Sequence, residues 1–195
     1  MTRLILASGS GIRRQILENA GVTLSVQTSW VDEEAIKAEW SAMPPSGLAV
    51  MLAEAKAKAV PAPDDALVLG ADQILGLEGR MYDKAWTKDE ARARLQSLRG
   101  KTHILHSGLA AVRKGETIWT HAEDSHLSVR DFSDTFLDHY MNIAGAELTA
   151  SVGAYAFEGM GAQLFEKING DYYAILGLPL LPVLDLLRRE GVIPA

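Results

Sequence analysis

Leu4-Ile5-Leu6-Ala7-Ser8-Gly9-Ser10-Gly11-Ile12-Arg13-Arg14-Gln15-Ile16-Leu17 decides the reading of this chain. Its apolar start reads as a buried strand, and Ser-Gly-Ser-Gly reads as a tight, permissive turn. Ile12, Ile16, Leu17 and Ala20 then fall on one helical face. The pattern is strand, small-residue loop, helix. Arg13 and Arg14 stand where the helix macrodipole is already positive, a placement disfavoured by ~0.3–1 kcal/mol per charge. A docked anion reverses that balance, because free backbone N–H groups, two serine hydroxyls and two guanidinium forks make a phosphate cradle. The plainer alternative leaves both arginines solvated and Ser10 as a simple helix cap.

Around this stretch the composition is that of an ordinary globular protein. The chain has 195 residues, enough for a sizeable core in one domain or two small lobes, with 48% hydrophobic and 23% charged residues. The absence of cysteine excludes disulfides and thiolate metal sites, and accords with a cytoplasmic protein. No apolar run approaches the ~18–20 residues that span a bilayer, and no cleavable signal is expected. The net charge of −6 argues against a broad surface for nucleic acid or anionic membrane. Any phosphate is therefore expected in a local pocket of cations, which favours a small ligand.

Downstream, residues 22–27 read as a short strand leading to the acidic cluster Asp32-Glu33-Glu34 at a strand end. A helix from Ser46 buries Leu48, Met51, Leu52 and Ala55, and Pro61 and Pro63 stop it. Residues 66–71 read as a fully buried central strand ending at Asp72, extended chain continues to Leu77, and Glu78-Gly79 makes a hairpin turn. Thr87 and Glu90 form a capping box for a helix to Leu98, closed by Gly100. Residues 101–112 and 117–130 read as two long strands, and Ser133 caps a helix with Phe136, Leu137 and Tyr140 inward. Residues 151–161 read as loop or bulged strand, 162–168 as a strand and 172–176 as a last strand. Pro179 opens a terminal helix, with Gly191 at its end. Adjacent long strands in the middle predict a mixed sheet, not a doubly wound parallel one.

Asp72 is the foremost chemical candidate, since a carboxylate at the tip of an apolar strand is held rigidly where open sheets bind ligands; its bland reading is a turn residue. Glu33 from another segment, together with Asp72 and a phosphate ligand, suits Mg²⁺, which takes one or two carboxylates and keeps several waters. Lys56 and Lys84 have the reach for a polyphosphate, although lysines of this kind are commonly just exposed. The five histidines show no zinc-binding spacing and read as strand and surface residues. No nucleophile elbow or Walker-type loop is present. The residues thus point to metal-assisted chemistry on a phosphate-bearing small molecule.

Taken together, these segments resemble the Maf family of nucleoside triphosphate pyrophosphatases. The resemblance is carried by Leu-Ala-Ser-x-Ser-x-x-Arg-Arg at 6–14, Val-Asp-Glu at 31–33, Leu-Ala-x-x-Lys-Ala at 52–57 and Gly-Ala-Asp-Gln at 70–73. Lys84, Gly100-Lys101 and Gly-Leu-Pro at 177–179 continue it in order over nearly the whole length. It implies an α/β fold of the inosine-triphosphatase (Maf/Ham) type: one elongated, twisted mixed sheet with flanking helices, and two lobes around a cleft. It implies hydrolysis of the α–β phosphoanhydride with a divalent metal, Mg²⁺ or Mn²⁺, in a homodimer that binds neither nucleic acid nor membrane. Carried over by position, Ser8, Ser10, Arg13, Arg14 and Lys56 hold the polyphosphate. Asp72 is the general base, Glu33 assists it or binds metal with it, and Lys84 completes the catalytic set.

Ile12, Gln73 and Glu158 occupy the family's specificity positions. Gln73, Glu158-Gly159-x-Gly161 and Leu187-Arg188-Arg189-Glu190-Gly191 look like the subgroup similar to 7-methyl-GTP pyrophosphatases rather than to dTTP/UTP pyrophosphatases. A carboxylate at Glu158 matches the donor edge of a guanine. Ile12 stands where that subgroup carries tryptophan, and Gly11 and Ala85 stand where the family carries proline. The family's association with septum formation also implies a rival role, a nucleotide-binding regulator with little turnover.

Overall fold

The computed structural model describes residues 2–28 and 30–195. The opening stretch forms β1 (Arg3–Ala7) and α1 (Gly11–Asn19), with the Ser8–Ser10 turn between them. After them come β2 (Ser25–Val26), α2 (Glu33–Glu39), α3 (Pro45–Lys58), β3 (Ala66–Leu77) and β4 (Arg80–Tyr82). The rest comprises α4 (Lys88–Leu98), β5 (Thr102–Arg113), β6 (Glu116–Val129), α5 (Asp134–Ala144), α6 (Glu147–Ala150), a 3₁₀ turn (Met160–Leu164), β7 (Phe165–Asn169), α7 (Tyr172–Ile175) and α8 (Leu180–Arg189).

These strands make a seven-stranded mixed sheet in the order β2-β1-β3-β5-β6-β7, with β4 beside β3. β1 pairs in parallel with β2 and with β3, whereas β4 on β3 and β7 on β6 are antiparallel. Two hairpin turns are of the kind in which both central residues have positive φ, Glu78-Gly79 (51° and 79°) and Lys114-Gly115 (54° and 78°). The expected mixed α/β architecture with flanking helices is therefore present.

The chain divides into two compact units. One comprises Met1–Gln73, Ser107–Glu123 and Tyr172–Ala195, the other Ile74–His106 and Asp124–Asp171. The first unit has its main core where Leu4, Leu6, Leu67, Leu69 and Leu109 meet Ile16 and Leu17 of α1 and Val183 and Leu187 of α8. A smaller cluster joins Ile5, Ala7 and Val68 to Ala57 of α3. In the second unit α4 packs on α5 and α6, and Tyr155 meets Phe165 edge-on.

Helix α3 sits unusually close to the sheet. A Cβ on Gly70 of β3 would lie 1.9 Å from the Ala53 carbonyl oxygen, and one on Gly108 of β5 would lie 2.2 Å from the Ala49 carbonyl carbon. Backbone thus approaches backbone with no side chain between, a contact only glycine permits. The helix answers with small buried residues at Ala49, Ala53 and Ala57, flanked by Leu48 and Leu52. Met51 and Ala55, expected in the buried stripe, are only half-buried, because the small residues face the sheet.

Three further expectations are corrected. The acidic cluster at 32–34 starts α2 instead of ending a strand: Asp32 accepts a hydrogen bond from the Ala35 N–H, and Glu33 and Glu34 occupy the first turn, where carboxylates favour the helix. Residues 172–176 are not a strand but the single turn α7 and its exit. Gly177, at φ 93°, ends it in a Schellman motif, the Leu178 N–H bonding the Tyr173 oxygen and the Gly177 N–H the Ala174 oxygen. Two of the five histidines, His103 and His106, are buried rather than at the surface.

Candidate active site

Asp72 lies inside the long strand β3, two residues past the last pairing with β1, Ala7 with Gly70. Its side chain is buried, and its Oδ1 accepts a 2.6 Å bond from the Lys56 ammonium. The same Lys56 Nζ lies 2.9 Å from Glu33 Oε1 at the start of α2. One ammonium therefore joins two carboxylates from separate elements. The close seating of α3 on Gly70 and Gly108 brings Lys56 to this point.

Arg13 supplies a second cation to the same carboxylates, and its charge acts on both Asp72 and Glu33. Its Nε donates to the Gly177 carbonyl (2.8 Å), and its Nη1 donates to the Ala71 carbonyl (2.9 Å) and to Ser8 Oγ (3.1 Å). Burial raises the Asp72 pKa; Lys56 and Arg13 pull it down, and Glu33 pushes it up. Burial that raises the pKa of a carboxyl makes its ionised form a better proton acceptor.

Two hard oxygen donors converging on one cation also match a small divalent ion. Mg²⁺ and Mn²⁺ favour carboxylate, water and phosphate oxygens, and Mg²⁺ is commonly held by one or two carboxylates. Among the described residues no group of three or more His, Asp or Glu side chains gathers to hold a metal by itself. Asp72 and Glu33 thus fit an ion that takes its remaining ligands from water and substrate.

The Maf-like protein family matches residues 3–190. The chain belongs to the Maf family. A relative from Maricaulis maris, named nucleoside triphosphate pyrophosphatase, is 55% identical over 99% of both chains. One from Rhizobium meliloti, named 7-methyl-GTP pyrophosphatase, is 45% identical over 98% of both. Among solved structures, a HAM1 protein from Coxiella burnetii is similar at 14% identity and a TM-score of 0.39, over 68% of this chain and 75% of that one.

The remaining candidates of this Maf protein differ in how they are engaged. Ser8 is buried and accepts from both Arg13 and the Ser10 N–H (3.3 Å). Ser10 stands at the N-cap position of α1, but its hydroxyl makes no capping bond. The simple-cap alternative is therefore excluded. Arg14 points elsewhere from Arg13: it is exposed and pairs with Glu18 at 2.7 Å, one turn along α1. The two forks do not form a single grip in this structure. Ile12 packs against the main core of the first unit.

Gln73 donates its amide to the Ala174 carbonyl (2.9 Å) and to Ser107 Oγ (3.2 Å). Its Oε1 has no partner among the described residues. Lys84 and Glu158 belong to the second unit and are exposed, Lys84 in the irregular segment 83–87 and Glu158 just before the 3₁₀ turn. Sequence reasoning missed Ser107 and gave Gly177 only as part of a family motif. The glycine itself was the legible signal, since glycine is the usual residue where a helix ends at positive φ.

Proposed function

We propose that this chain hydrolyses the α–β phosphoanhydride of a nucleoside triphosphate, releasing a nucleoside monophosphate and pyrophosphate. The observation that carries the reading is the buried Asp72, joined through Lys56 to Glu33 and faced by Arg13. Such a group has no structural need of its carboxylates, because burying charges against one another is at best neutral for stability. The names of the relatives from Maricaulis maris and Rhizobium meliloti support the same chemistry.

In this reading Asp72 accepts the proton of the attacking water as its oxygen bonds to phosphorus and one P–O bond of the bridge breaks. Phosphoryl transfer asks for positioning and charge neutralisation more than covalent help, which Lys56 and Arg13 supply. Ser10, whose hydroxyl is uncommitted, and the open N–H groups at the start of α1 receive phosphate oxygens. Arg14 joins them by exchanging Glu18 for phosphate, and Lys84 adds positive charge. Asp72 and Glu33 would hold a divalent ion, which when bound would polarise phosphate oxygens and lower the pKa of water.

Gln73, Ile12 and Glu158 select the base, and the substrate is a modified, 7-methylated purine nucleotide. The Rhizobium meliloti relative's name and the carboxylate at Glu158 support that choice. No helix among the described residues is long and apolar enough to cross a membrane. We read residues 1–195 as one cytoplasmic, homodimeric pyrophosphatase domain with a house-cleaning role.

The test is a panel of triphosphates assayed for pyrophosphate release with Mg²⁺ or Mn²⁺, and again with chelator. The expected result is release that chelator abolishes, highest for 7-methyl-GTP. Preference for dTTP or UTP overturns the purine assignment. Tight binding with no release on any triphosphate returns the protein to the nucleotide-sensing role.

A further inference from the structure

β3 outruns β1. Their last pair is Ala7 with Gly70, so the Ala71 carbonyl, on the residue before Asp72, is taken by Arg13 Nη1 at 2.9 Å instead of by the β1 ladder. The same guanidinium donates to the Gly177 carbonyl at 2.8 Å. On the other side of Asp72, the Gln73 amide donates to the Ala174 carbonyl at 2.9 Å and, more weakly, to the Ile175 carbonyl at 3.4 Å. Ser107 locks that contact, accepting from Gln73 at 3.2 Å while donating to the Ala174 carbonyl at 3.0 Å. Both neighbours of Asp72 in the chain are therefore fastened to one short segment, 174–177.

That segment is itself rigidly founded. Gly177 ends α7 in its Schellman motif, and the next residue, Leu178, is fully buried in the main core. A Cβ at Gly177 would stand 3.3 Å from Arg13 Nε and 3.4 Å from Nη2 on a backbone already at φ 93°. A side chain there both strains the turn and presses on the guanidinium. Three of the hydrogen bonds made by Arg13 go to protein atoms on either side of the site, so this arginine is engaged before any substrate arrives.

We propose that the carboxy-terminal turn 174–177 is a positioning element for Asp72, clamping the strand tip through Arg13 on one side and Gln73 with Ser107 on the other. The inference rests on reading Asp72 as the proton acceptor. It makes Gly177 and Ser107 positioning residues that touch no substrate, and it gives Gln73 an anchoring duty besides any part in base selection.

The test compares Gly177→Ala and Ser107→Ala with a control, Gly191→Ala, at φ 68° with nothing within 4 Å of the new methyl. Gly177→Ala is expected to lower kcat ~10–100-fold, since small misplacements of a reacting group are that expensive. KM should stay within about threefold, because binding in the ground state is not what is lost. Ser107→Ala should show a smaller loss of the same kind. Gly191→Ala carries similar backbone strain and should leave both kcat and KM as in wild type.

A loss confined to KM, or a Gly177→Ala enzyme indistinguishable from Gly191→Ala, overturns the proposal. Where Gly177→Ala does not fold, Ser107→Ala decides, and an unchanged kcat counts against the clamp. Amide hydrogen exchange at residues 71–73, followed by NMR, reads the loosened strand tip without turnover: exchange faster in Gly177→Ala and Ser107→Ala than in Gly191→Ala is expected, and equal exchange overturns the clamp. A wild type inactive on every triphosphate thus sinks the pyrophosphatase reading while the exchange still judges the clamp.

Discussion

Replacing Lys56 by methionine isolates the charge balance around Asp72 and Glu33. The ammonium is mostly buried and touches Asp72 Oδ1 at 2.6 Å and Glu33 Oε1 at 2.9 Å. Methionine keeps much of the volume and helix propensity, so the change removes a charge and little packing. Breaking a buried ion pair by deleting one partner costs about 3–5 kcal/mol. The lower end applies here, because Glu33 is 40% exposed and recovers its solvation, and because Arg13 still faces Asp72. We therefore expect ~3 kcal/mol at neutral pH, a lowering of Tm by roughly 6–12 °C for a chain of this size.

The loss has a pH signature whose sign is fixed. Burial has already raised the Asp72 pKa in the folded protein, so the native state holds that proton more tightly than the unfolded chain. Stability therefore falls as pH rises from the ordinary carboxylate range through the raised value, and is level above it. Without Lys56 the folded pKa climbs further and the fall extends to higher pH. Urea unfolding of wild type and Lys56→Met across a pH series should give curves that converge in acid and separate towards neutrality. Adding Asp72→Asn should close most of the gap. Equal stability at every pH, or a constant deficit that Asp72→Asn leaves untouched, would refute the charge argument.

The same geometry carries further expected outcomes. Asp72→Asn alone should fold normally and lose ~10²–10⁴ in pyrophosphate release, the usual worth of a general base; wild-type turnover would remove it from the mechanism. In the wild type the acid limb of kcat/KM should lie above the usual carboxylate pKa, set by the burial of Asp72, and an ordinary limb would assign the proton elsewhere. His103, fully buried with Nε2 2.6 Å from the Tyr155 hydroxyl, is pushed by burial down to about 4. The unfolded chain then binds the extra proton between that value and about 6.5, so ~3 kcal/mol of stability is lost as pH falls through this window. His103→Gln should flatten that slope in acid unfolding. Gly70→Ala sets a methyl 1.9 Å from the Ala53 oxygen, which forces α3 outward. It should cost more than about 3 kcal/mol and weaken turnover with it, and a near-native Tm would show the helix seat to be soft.

What the sequence disclosed, and what it hid, divides along the range of the interaction. Local chemistry was legible. Thr87 caps α4 and Ser133 caps α5, each hydroxyl accepting the N–H three residues on at 3.1 Å, and Glu78-Gly79 turns β3 into β4. The central apolar run before Asp72 is the buried strand its composition demands. Misreadings came where a tertiary partner outvoted a local pattern. Residues 172–176 are aromatic and apolar enough to read as a strand, yet Gly177 at positive φ and the bonds of Gln73 and Ser107 to the Ala174 carbonyl hold them as a helical turn. Hydrophobicity places the stripe of α3 on Leu48, Met51, Leu52 and Ala55, of which Leu48 and Leu52 are buried; Ala49, Ala53 and Ala57 take the rest of the contact because two glycines of the opposing strands, not visibly its partners in sequence, face them.

The twin arginines carry the deeper point. Side by side in sequence they read as equivalent forks on one anion, but adjacent helical residues point about 100° apart. Arg13 turns into the site and is consumed by Ser8, Ala71 and Gly177, while Arg14 turns to Glu18 in solvent. Only one of them bears on Asp72 directly, and it does so by holding the backbone beside that residue as well as by its charge. A pattern that names both arginines cannot tell the strut from the free hand. The distinction needs the carbonyl left unpaired where β3 runs past β1, a fact of register that no spacing along the chain contains.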